Sequence, residues 1–285
     1  MQREFLTKMK IKTITSAIMA TTLCALNGEE APKPKFKEIE INGVFGFQDT
    51  PMQPNGKWHV HDPARPQPPV VTPGTFSQMA STPSNAVVLF GGNDLSQWQD
   101  KKSGGPALWV VSDGVAVSSG GDITTTRAFG DVQLHLEFLE SPSGKESGQG
   151  RGNSGIYFMG LYEIQILDCF ENKTYADGAV GGLYGQHPAL ANACRAPGEW
   201  QTYDLIFTAP KFGKDGELIS PVYLTAILNG VLVQNHQAFK GATNWRSPGK
   251  YTAHAPELPL SLQYHNNSVS FRNIWAAPIS AADEP

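Results

Sequence analysis

The stretch YEIQILD, residues 162–168, carries three polar side chains in a segment with the composition of a β-strand. Side chains alternate along a strand, so Glu163 and Gln165 share one face while the two isoleucines point into a core. Asp168 would rejoin that face only if a β-bulge near Leu167 inserted one extra residue, and bulges are common beside active sites. The pattern predicts a polar groove on a sheet; an exposed sheet face that ends in a turn is the alternative.

This group of side chains could transfer protons and bind hydroxyl groups. Glu163 is the first candidate for a catalytic base or acid, because a carboxylate among apolar neighbours can have a raised pKa. Asp168 is the second catalytic candidate. Gln165 cannot transfer protons at neutral pH, but both ends of its amide can bind hydroxyl groups. An ordinary surface glutamate and a turn-capping aspartate are the alternatives.

A second strand, in LSLQYHNNSVSFRNI, residues 260–274, offers partners for this group. Gln263 and His265 share one face of it by the same alternation. If that face meets the Glu163 face, His265 becomes a catalytic acid/base partner that titrates near neutral pH. A structural histidine beside a turn is the alternative. Arg272 either steadies a developing oxyanion or pairs with a carboxylate of the sheet.

Further candidates for substrate binding lie on loops and at strand starts, where the rims of clefts are made. They are Asn153 and Tyr157 in GNSGIYF, His187 in LYGQHP, and Arg195, Glu199 and Gln201 in CRAPGEWQ. Tryptophans can stack on a ligand, but most aromatic residues of a β-sandwich belong to the core, so no particular tryptophan is selected. We expect no metal site, since His59, His61 and Asp62 have no further ligands in their proline-rich surroundings.

The elements that must position these residues are short. The chain has 285 residues, 29 glycines and 21 prolines, and short apolar or alternating runs recur from Ala86 onward. The run DVQLHLEFLE, residues 131–140, alternates cleanly, and Asn229-Gly230 predicts a tight hairpin. No βαβ rhythm is visible. The pattern predicts an all-β fold, a jelly-roll sandwich of two antiparallel sheets over residues 86–280.

The segments before residue 86 have other compositions. Residues 1–28 contain basic residues followed by an apolar run, which predicts a signal peptide and a periplasmic or secreted protein; a lipoprotein signal at Cys24 is the alternative. Residues 29–85 are proline-rich and predict an extended arm with no core of its own, lying across the sandwich. No stretch approaches the 18 apolar residues of a membrane span.

Charge and cysteine content limit the functional classes. The net charge of −4 provides no basic field for nucleic acid or an anionic membrane. After removal of the signal peptide, Cys169 and Cys194 remain, either as a disulfide or as two buried free thiols. Their spacing does not suggest zinc, and no G-x-G-x-x-G follows a strand, so we expect no NAD or other cofactor.

Four ordered motifs resemble signatures of the 3-keto-disaccharide hydrolase family, formerly a domain of unknown function. They are VLFGGNDLSQWQ, GNSGIYFMGLYEIQILD, GGLYGQHPALANACRAPGEWQTYDLIFTAP and LSLQYHNNSVSFRNIW. The resemblance covers about residues 86 to 278. It implies a concanavalin A-like sandwich, a bacterial exported enzyme, and action on a glycoside or oligosaccharide whose sugar carries a 3-oxo group.

A 3-oxo sugar can lose its C1 substituent by elimination, because the ketone acidifies the hydrogen on C2. Such a route needs a base near C2, donors for the oxygen on C3 and an acid near the glycosidic oxygen. The ketone must be made by another protein, so the resemblance implies an upstream sugar 3-oxidoreductase as a pathway partner. The alternatives are a non-catalytic carbohydrate-binding module and a conventional endo-glucanase. Gln165 argues against the glucanase, whose E-x-D-x-x-E strand motif has a carboxylate at that position.

Overall fold

A computed structural model describes residues 35–54, 56–141 and 146–279. The predicted signal peptide, residues 1–28, and Cys24 within it lie outside the described residues. Within the described ranges, no helix has the length and apolar character needed to cross a membrane.

The described part of the chain is all-β, with seventeen strands and two 3-10 turns, Gly148–Gly150 and Ala176–Gly178. The strands, numbered in chain order, are β1 (Glu38–Ile41), β2 (Val44–Phe47), β3 (Val87–Phe90), β4 (Trp98–Asp100), β5 (Val110–Ser112), β6 (Val115–Val117), β7 (Ile123–Phe129), β8 (Val132–Glu140), β9 (Ser154–Phe158), β10 (Tyr162–Ile166), β11 (Gln201–Thr208), β12 (Lys211–Phe212), β13 (Leu218–Ser220), β14 (Tyr223–Leu228), β15 (Val231–Ala238), β16 (Leu258–Leu262) and β17 (Val269–Pro278).

Two large antiparallel sheets form a sandwich, which confirms the predicted concanavalin A-like jelly-roll class. One sheet has five strands in the order β10-β9-β16-β7-β4. The other has eight, in the order β15-β14-β11-β8-β17-β6-β5, with β3 paired to β17. The late strands β16 and β17 insert between early ones, as jelly rolls require. Residues far apart in sequence therefore become neighbours in each sheet.

The core lies between the two sheets and follows the period-two pattern. In β8, Val132, Leu134, Leu136 and Phe138 are buried. The rings of Phe158 in β9 and Phe207 in β11 stack with centroids 4.4 Å apart, and this contact joins the sheets. Burial of such side chains supplies most of the driving force for folding.

The arm covers part of the outer face of the eight-stranded sheet. The alternation in β8 directs His135 and Glu137 away from the core, yet both are fully buried. The Met79 backbone N–H donates to Glu137 Oε1 at 2.5 Å, and the Ser77 hydroxyl donates to Asp204 Oδ2 at 2.6 Å. Asp204 in turn binds His135 at 2.7 Å. The arm thus buries polar side chains that alternation alone would leave exposed.

The arm also contains regular structure that its composition did not predict. Strands β1 and β2 pair as an antiparallel hairpin. Farther along, the Val71 backbone N–H donates to the Asn192 carbonyl at 2.9 Å. The arm is therefore a hairpin followed by an extended segment, and both contribute contacts to the rest of the described chain.

A buried carboxylate of the sandwich depends on the arm. Asp177 is completely buried. Its Oδ1 lies 3.2 Å from His61 Nδ1, and its Oδ2 accepts the His61 backbone N–H at 3.2 Å and lies 3.7 Å from Arg65 Nη1. Burial favours a higher pKa for Asp177, but His61 and Arg65 hold it below its usual value. The arm thus keeps this carboxylate ionised inside the protein.

We expect that a chain beginning at Ser84 is strongly destabilised. Without the arm, the Asp177 carboxylate loses its contacts with His61 and Arg65, and removing the partners of a buried charge typically costs about 3–5 kcal/mol. At about 2–4 °C per kcal/mol for a domain of this size, Tm should fall by about 10 °C or more. Thermal unfolding measures it. Asp177→Asn in the shortened chain should restore part of the loss, whereas an unchanged Tm on shortening would contradict this packing.

Candidate active site

The floor of the candidate site is built by three neighbouring strands of the five-stranded sheet. In the β9–β10 pair, Glu163 lies opposite Tyr157 and Gln165 lies opposite Gly155. On the other side of β9, the Gln263 backbone N–H donates to the Gly155 carbonyl at 3.0 Å. Directly opposed residues of a sheet share a face. The polar side chains of all three strands therefore stand together, on the face opposite the core.

These side chains border a cavity of about 360 Å³. It is lined by Asn153, Tyr157, Glu163, Gln165, Tyr184, Thr243, Trp245, Gln263 and His265. Six of these nine residues are candidates from the sequence. The volume falls within the range usual for small-molecule sites.

Glu163 provides a titratable group at the floor of the cavity. Its side chain is only 2% exposed. Burial raises the pKa of Glu163 to about 8, with a smaller contribution from the negative charge of Asp122, while a hydrogen bond with Tyr157 opposes the rise. The carboxyl is therefore mostly protonated at neutral pH, and both of its forms are populated near pH 8. Such a group can take up or release a proton during a reaction.

Gly155 makes room for the Glu163 carboxyl. A Cβ atom at this position would collide with Glu163 Oε1 and would also lie 3.2 Å from Cδ and Cγ of the same side chain. The Glu163 side chain is itself buried at the cavity floor, so it has little room to move away. Any larger residue at 155 would therefore displace the carboxyl from the site.

Tyr157 is a hydrogen-bond partner for the carboxyl. Burial, together with the neighbouring Glu163, raises the pKa of Tyr157 well above its usual value. The phenol thus keeps its proton, and Gln263 Nε2 donates to its oxygen at 3.3 Å. Near the ring, Lys101 Nζ lies 5.1 Å from the Tyr157 centroid and 3.4 Å from Asp122 Oδ2. Tyr157 is therefore a neutral donor beside Glu163, and the Lys101 ammonium lies near the Tyr157 ring.

Gln165 lines the cavity and has one acceptor without a partner. Its Nε2 donates to Gln149 Oε1 and to the Gly178 carbonyl, each at 3.2 Å. Gln165 Oε1 is buried and has no hydrogen-bond partner among the described residues. A buried polar atom without a partner costs stability. A sugar hydroxyl that donates to this oxygen would remove that cost.

Asn153 and His265 complete the set of predicted residues in the cavity. Asn153 is buried, and its Nδ2 donates to the Gln149 carbonyl at 2.8 Å. His265 lies at the end of the β16 segment and is exposed. Its position at the cavity edge leaves it accessible to a bound substrate, and its catalytic role stays a prediction.

Three lining residues come from loops and were not selected from the sequence. The Tyr184 backbone N–H donates to the Glu163 carbonyl at 3.2 Å, and its hydroxyl lies 2.9 Å from the Tyr175 hydroxyl. Thr243 Oγ1 accepts the Glu163 backbone N–H at 3.0 Å. Trp245 follows two residues later and is 66% exposed. Strand alternation does not apply to loops, so these residues gave no signal of that kind.

The arm supports the Tyr184 side of the cavity. Tyr175, which binds the Tyr184 hydroxyl, stacks on His61 with ring centroids 4.0 Å apart. His61 also lies 4.9 Å from the Tyr184 ring, centroid to centroid. The contact between His61 and Asp177 therefore lies behind the Tyr184 wall of the cavity.

Asp168 does not line this cavity, contrary to the expectation from its spacing. Strand β10 ends at Ile166, and Leu167 is buried in the core. The Asp168 carboxylate binds Arg151 through Nε at 2.6 Å and Nη2 at 3.0 Å, and it also accepts the Phe170 backbone N–H at 3.0 Å. It therefore fixes the turn after β10, which was the alternative interpretation.

Arg272 lies on the other sheet. Its Nε binds Glu137 Oε2 at 2.7 Å, and its guanidinium lies 3.9 Å from the centroid of Trp200. The ion-pair interpretation applies, and Arg272 is not in position to steady an oxyanion in the cavity. Strand β17 belongs to the eight-stranded sheet, which separates it from β16 despite their closeness in sequence.

The remaining candidates for substrate binding also lie outside the lining. Burial lowers the pKa of His187 to about 4, and its Nε2 lies 3.4 Å from Gln237. Arg195 pairs with Glu199 at 2.8 Å. Gln201 is buried, and its Nε2 donates to Glu140 Oε2 at 2.6 Å. Internal partners thus occupy the polar groups of these residues.

Both cysteines of the described chain are free thiols. Cys169 and Cys194 are buried, and the Cys169 backbone N–H donates to Cys194 Sγ at 3.3 Å. Beside them, burial raises the pKa of Glu140 to about 8. Over the described ranges, no group of three or more histidine, cysteine or acidic side chains is arranged to hold a metal ion.

The raised pKa of Glu163 makes stability depend on pH. Between its usual pKa of 4.5 and about 8, the folded protein retains a proton that the unfolded chain has lost. The free energy of unfolding therefore falls as pH rises through this range. Glutamine does not titrate. The Tm of Glu163→Gln minus the Tm of the parent protein should therefore be higher at pH 9 than at pH 5, by roughly several degrees. Thermal unfolding at the two pH values measures this gain.

Glu140→Gln should behave in the same way, because Glu140 has a similarly raised pKa outside the cavity. A difference in Tm that does not change with pH for either variant would show that these carboxyls titrate normally.

Comparisons with known proteins agree with the geometry. A family model described as the 3-keto-alpha-glucoside-1,2-lyase-like domain matches residues 85–277. A crystal structure of a candidate glycosyl hydrolase from Parabacteroides distasonis ATCC 8503 is 44% identical, covers 75% of this chain and 93% of that chain, and has a TM-score of 0.68.

A second candidate glycosyl hydrolase from the same organism shares the fold at 20% identity. It covers 69% of this chain and 95% of that chain, with a TM-score of 0.51. No curated protein matches the chain.

Proposed function

The chain belongs to the family of 3-keto-alpha-glucoside-1,2-lyase-like domains, and from this premise we propose that it cleaves 3-keto-glycosides by abstraction of the C2 proton. The family and the 44% identical glycosyl hydrolase relative support a carbohydrate-active enzyme. The observation that carries the proposal is the buried Glu163 carboxyl, which lies at the floor of a polar cavity and has a pKa of about 8.

The first step of the proposed reaction is proton transfer. Ionised Glu163 removes the hydrogen from C2, and the electrons of the C2–H bond form a C2–C3 double bond while the C3 oxygen becomes an enolate. A base with a pKa near the working pH is suited to this task. Tyr157 and Gln263 are donors in the same cavity, and a developing oxyanion is stabilised by donors already in place.

The second step is departure of the C1 substituent. The enolate electrons return, a C1–C2 double bond forms, and the bond between C1 and the glycosidic oxygen breaks. A protonated His265 at the cavity edge supplies the proton to the leaving oxygen. Water then adds its hydroxyl to C1 and its hydrogen to C2, which gives net hydrolysis. Gln165 and Asn153 bind the hydroxyl groups of the sugar.

The geometry favours this route over a conventional glycosidase. A retaining glycosidase needs two carboxyl groups about 5 Å apart. Glu163 is the only carboxyl among the nine residues that line the cavity, and Asp168 is bound to Arg151. An elimination needs one base and no carboxylate nucleophile.

The direct test uses a 3-keto-glucoside labelled with deuterium at C2. Incubation with the purified protein should give cleavage, seen by mass spectrometry, a transient enone absorbance in the ultraviolet, and loss of the label to water. Cleavage with full retention of deuterium at C2 would rule out the elimination route. Absence of cleavage would rule out the function itself.

We propose that residues 1–28 direct export to the periplasm or the medium. The ketone requires oxidation of the sugar at C3 before this enzyme acts, which assigns the preceding step to a sugar 3-oxidoreductase.

A further inference from the structure

Trp245 stands out on the cavity rim because it is aromatic and exposed. It is 66% exposed, whereas Trp98, Trp109 and Trp275 are at most 5% exposed. It is also one of the residues that line the cavity. A large exposed aromatic side chain beside a polar cavity is a common mark of a binding surface.

One face of the Trp245 indole is held in place by a stack that begins in the arm. The Arg246 guanidinium carbon lies 3.8 Å from the Trp245 ring centroid and 3.9 Å from the Phe47 ring centroid. Arg246 therefore bridges the two rings, and Phe47 in β2 is buried. Cation–π contacts of this kind are attractive and directional.

The backbone at this place is unusual as well. Arg246 has a φ of +62°, a left-handed conformation that residues other than glycine rarely adopt. Such a conformation persists only when surrounding contacts maintain it, and it is often found at binding sites. Here it directs the arginine back across the preceding tryptophan. The local structure thus fixes the indole while leaving its second face open.

The positions of the polar residues indicate what this open face would contact. Glu163, Gln165 and Asn153 are nearly fully buried at the floor. In the proposed reaction the sugar places C2 at Glu163 on the floor and its glycosidic oxygen at His265 on the cavity edge, so the group attached to C1 extends toward the rim. Trp245 is the aromatic residue exposed there. Flat apolar faces of sugar rings fit on such a surface.

We propose that Trp245 is a stacking platform for the leaving group and selects glycosides whose C1 substituent is a ring, with Arg246 and Phe47 as positioning residues. This inference rests on the proposed function, because it assigns the keto sugar to the floor of the cavity. It gives the arm a second role: the arm supports one wall through His61 and holds the platform through Phe47.

The test compares two 3-keto-glucosides, one with a glucosyl group at C1 and one with a methyl group. Trp245→Ala should lower kcat/KM for the glucosyl substrate by about 10-fold more than for the methyl substrate, because the contact between the indole and the sugar ring is lost. Trp245→Phe keeps an aromatic ring and should retain most of the selectivity. An equal loss for both substrates, or no loss for either, would overturn the proposal.

A second variant tests the support of the platform. Arg246→Gly removes the guanidinium and suits the left-handed backbone, so the protein should fold normally. We expect KM for the glucosyl substrate to rise while kcat stays the same, which a general loss of structure would not produce. Unchanged selectivity would show that Arg246 does not position the tryptophan.

Binding measurements separate this inference from the proposed reaction. Calorimetry with the unoxidised disaccharide should give a weaker Kd for Trp245→Ala than for the parent protein. If neither keto substrate is cleaved but this difference is found, the proposed reaction is wrong and the platform stands. An equal Kd overturns the platform. A parent protein that neither cleaves the keto substrates nor binds the disaccharide overturns both proposals.

Discussion

Replacing Glu163 by glutamine is expected to lower kcat/KM for a 3-keto-glucoside by about 100-fold or more, because positioned acid–base groups contribute about 10² to 10⁴ to rate. The amide has nearly the same shape and still bonds to hydroxyl groups, but it cannot accept the C2 proton. Substrate binding should therefore survive the change. Steady-state kinetics with the purified variant, together with a binding measurement, check both parts.

Glu140→Gln is the matched control for this variant. Glu140 is also a buried glutamate with a pKa raised to about 8, but it is not among the residues that line the cavity. Its replacement should leave kcat/KM within about twofold of the parent value, because substitutions of residues that do not line the cavity act mainly on stability. A Glu163→Gln enzyme that is as active as this control would remove Glu163 from the mechanism.

The same residue sets the expected pH dependence of activity. Because the base must be ionised, the pH profile of kcat/KM for the parent enzyme should contain a rising limb centred near pH 8, where the Glu163 carboxyl loses its proton. A pH profile of kcat/KM reports the pKa values of the essential acid and base groups in the free enzyme. The rise should be absent from the residual activity of Glu163→Gln.

Reduction of the C3 ketone to a hydroxyl is expected to abolish turnover, with a loss of many orders of magnitude. The ketone supplies the acidity of the C2 hydrogen, and without it no enolate forms for the cavity donors to stabilise. The measurement compares initial rates on a 3-keto-glucoside and on the parent glucoside under the same conditions. Product formation is followed by mass.

The outcome of this comparison also separates the alternatives. An endo-glucanase would prefer the parent glucoside, and a binding module would cleave neither sugar while still binding them. Comparable rates on both sugars would contradict a mechanism that depends on the ketone, whatever residue acts as base.

Local patterns in the sequence were sufficient for the fold class and for the floor of the site. Recurrent short alternating runs predicted an antiparallel sandwich, and the two large sheets confirm it. Alternation alone grouped Glu163 with Gln165, and Gln263 with His265. The structure brings both pairs to one cavity. This was predictable because the side-chain direction along a strand is set by the backbone of the strand itself.

Other assignments required the tertiary structure, because they depend on which distant segments become neighbours. Arg272 lies only seven residues from His265 but belongs to the other sheet, where it pairs with Glu137. Asp168 has the expected spacing, yet Arg151 binds it in the turn. Sequence spacing carries no information about such partners.

The residues of the cavity walls and rim were also not predictable from sequence spacing. Tyr184 and Trp245 come from loops, whose side-chain directions follow no fixed period. His61 reaches Asp177 across 116 positions of sequence, and Phe47 holds Arg246 from the far end of the described chain. The sequence alone thus determined which residues each strand presents on one face. Only the packing of arm, loops and sheets decided which of them share a site, since contacts between distant segments are set by the fold as a whole.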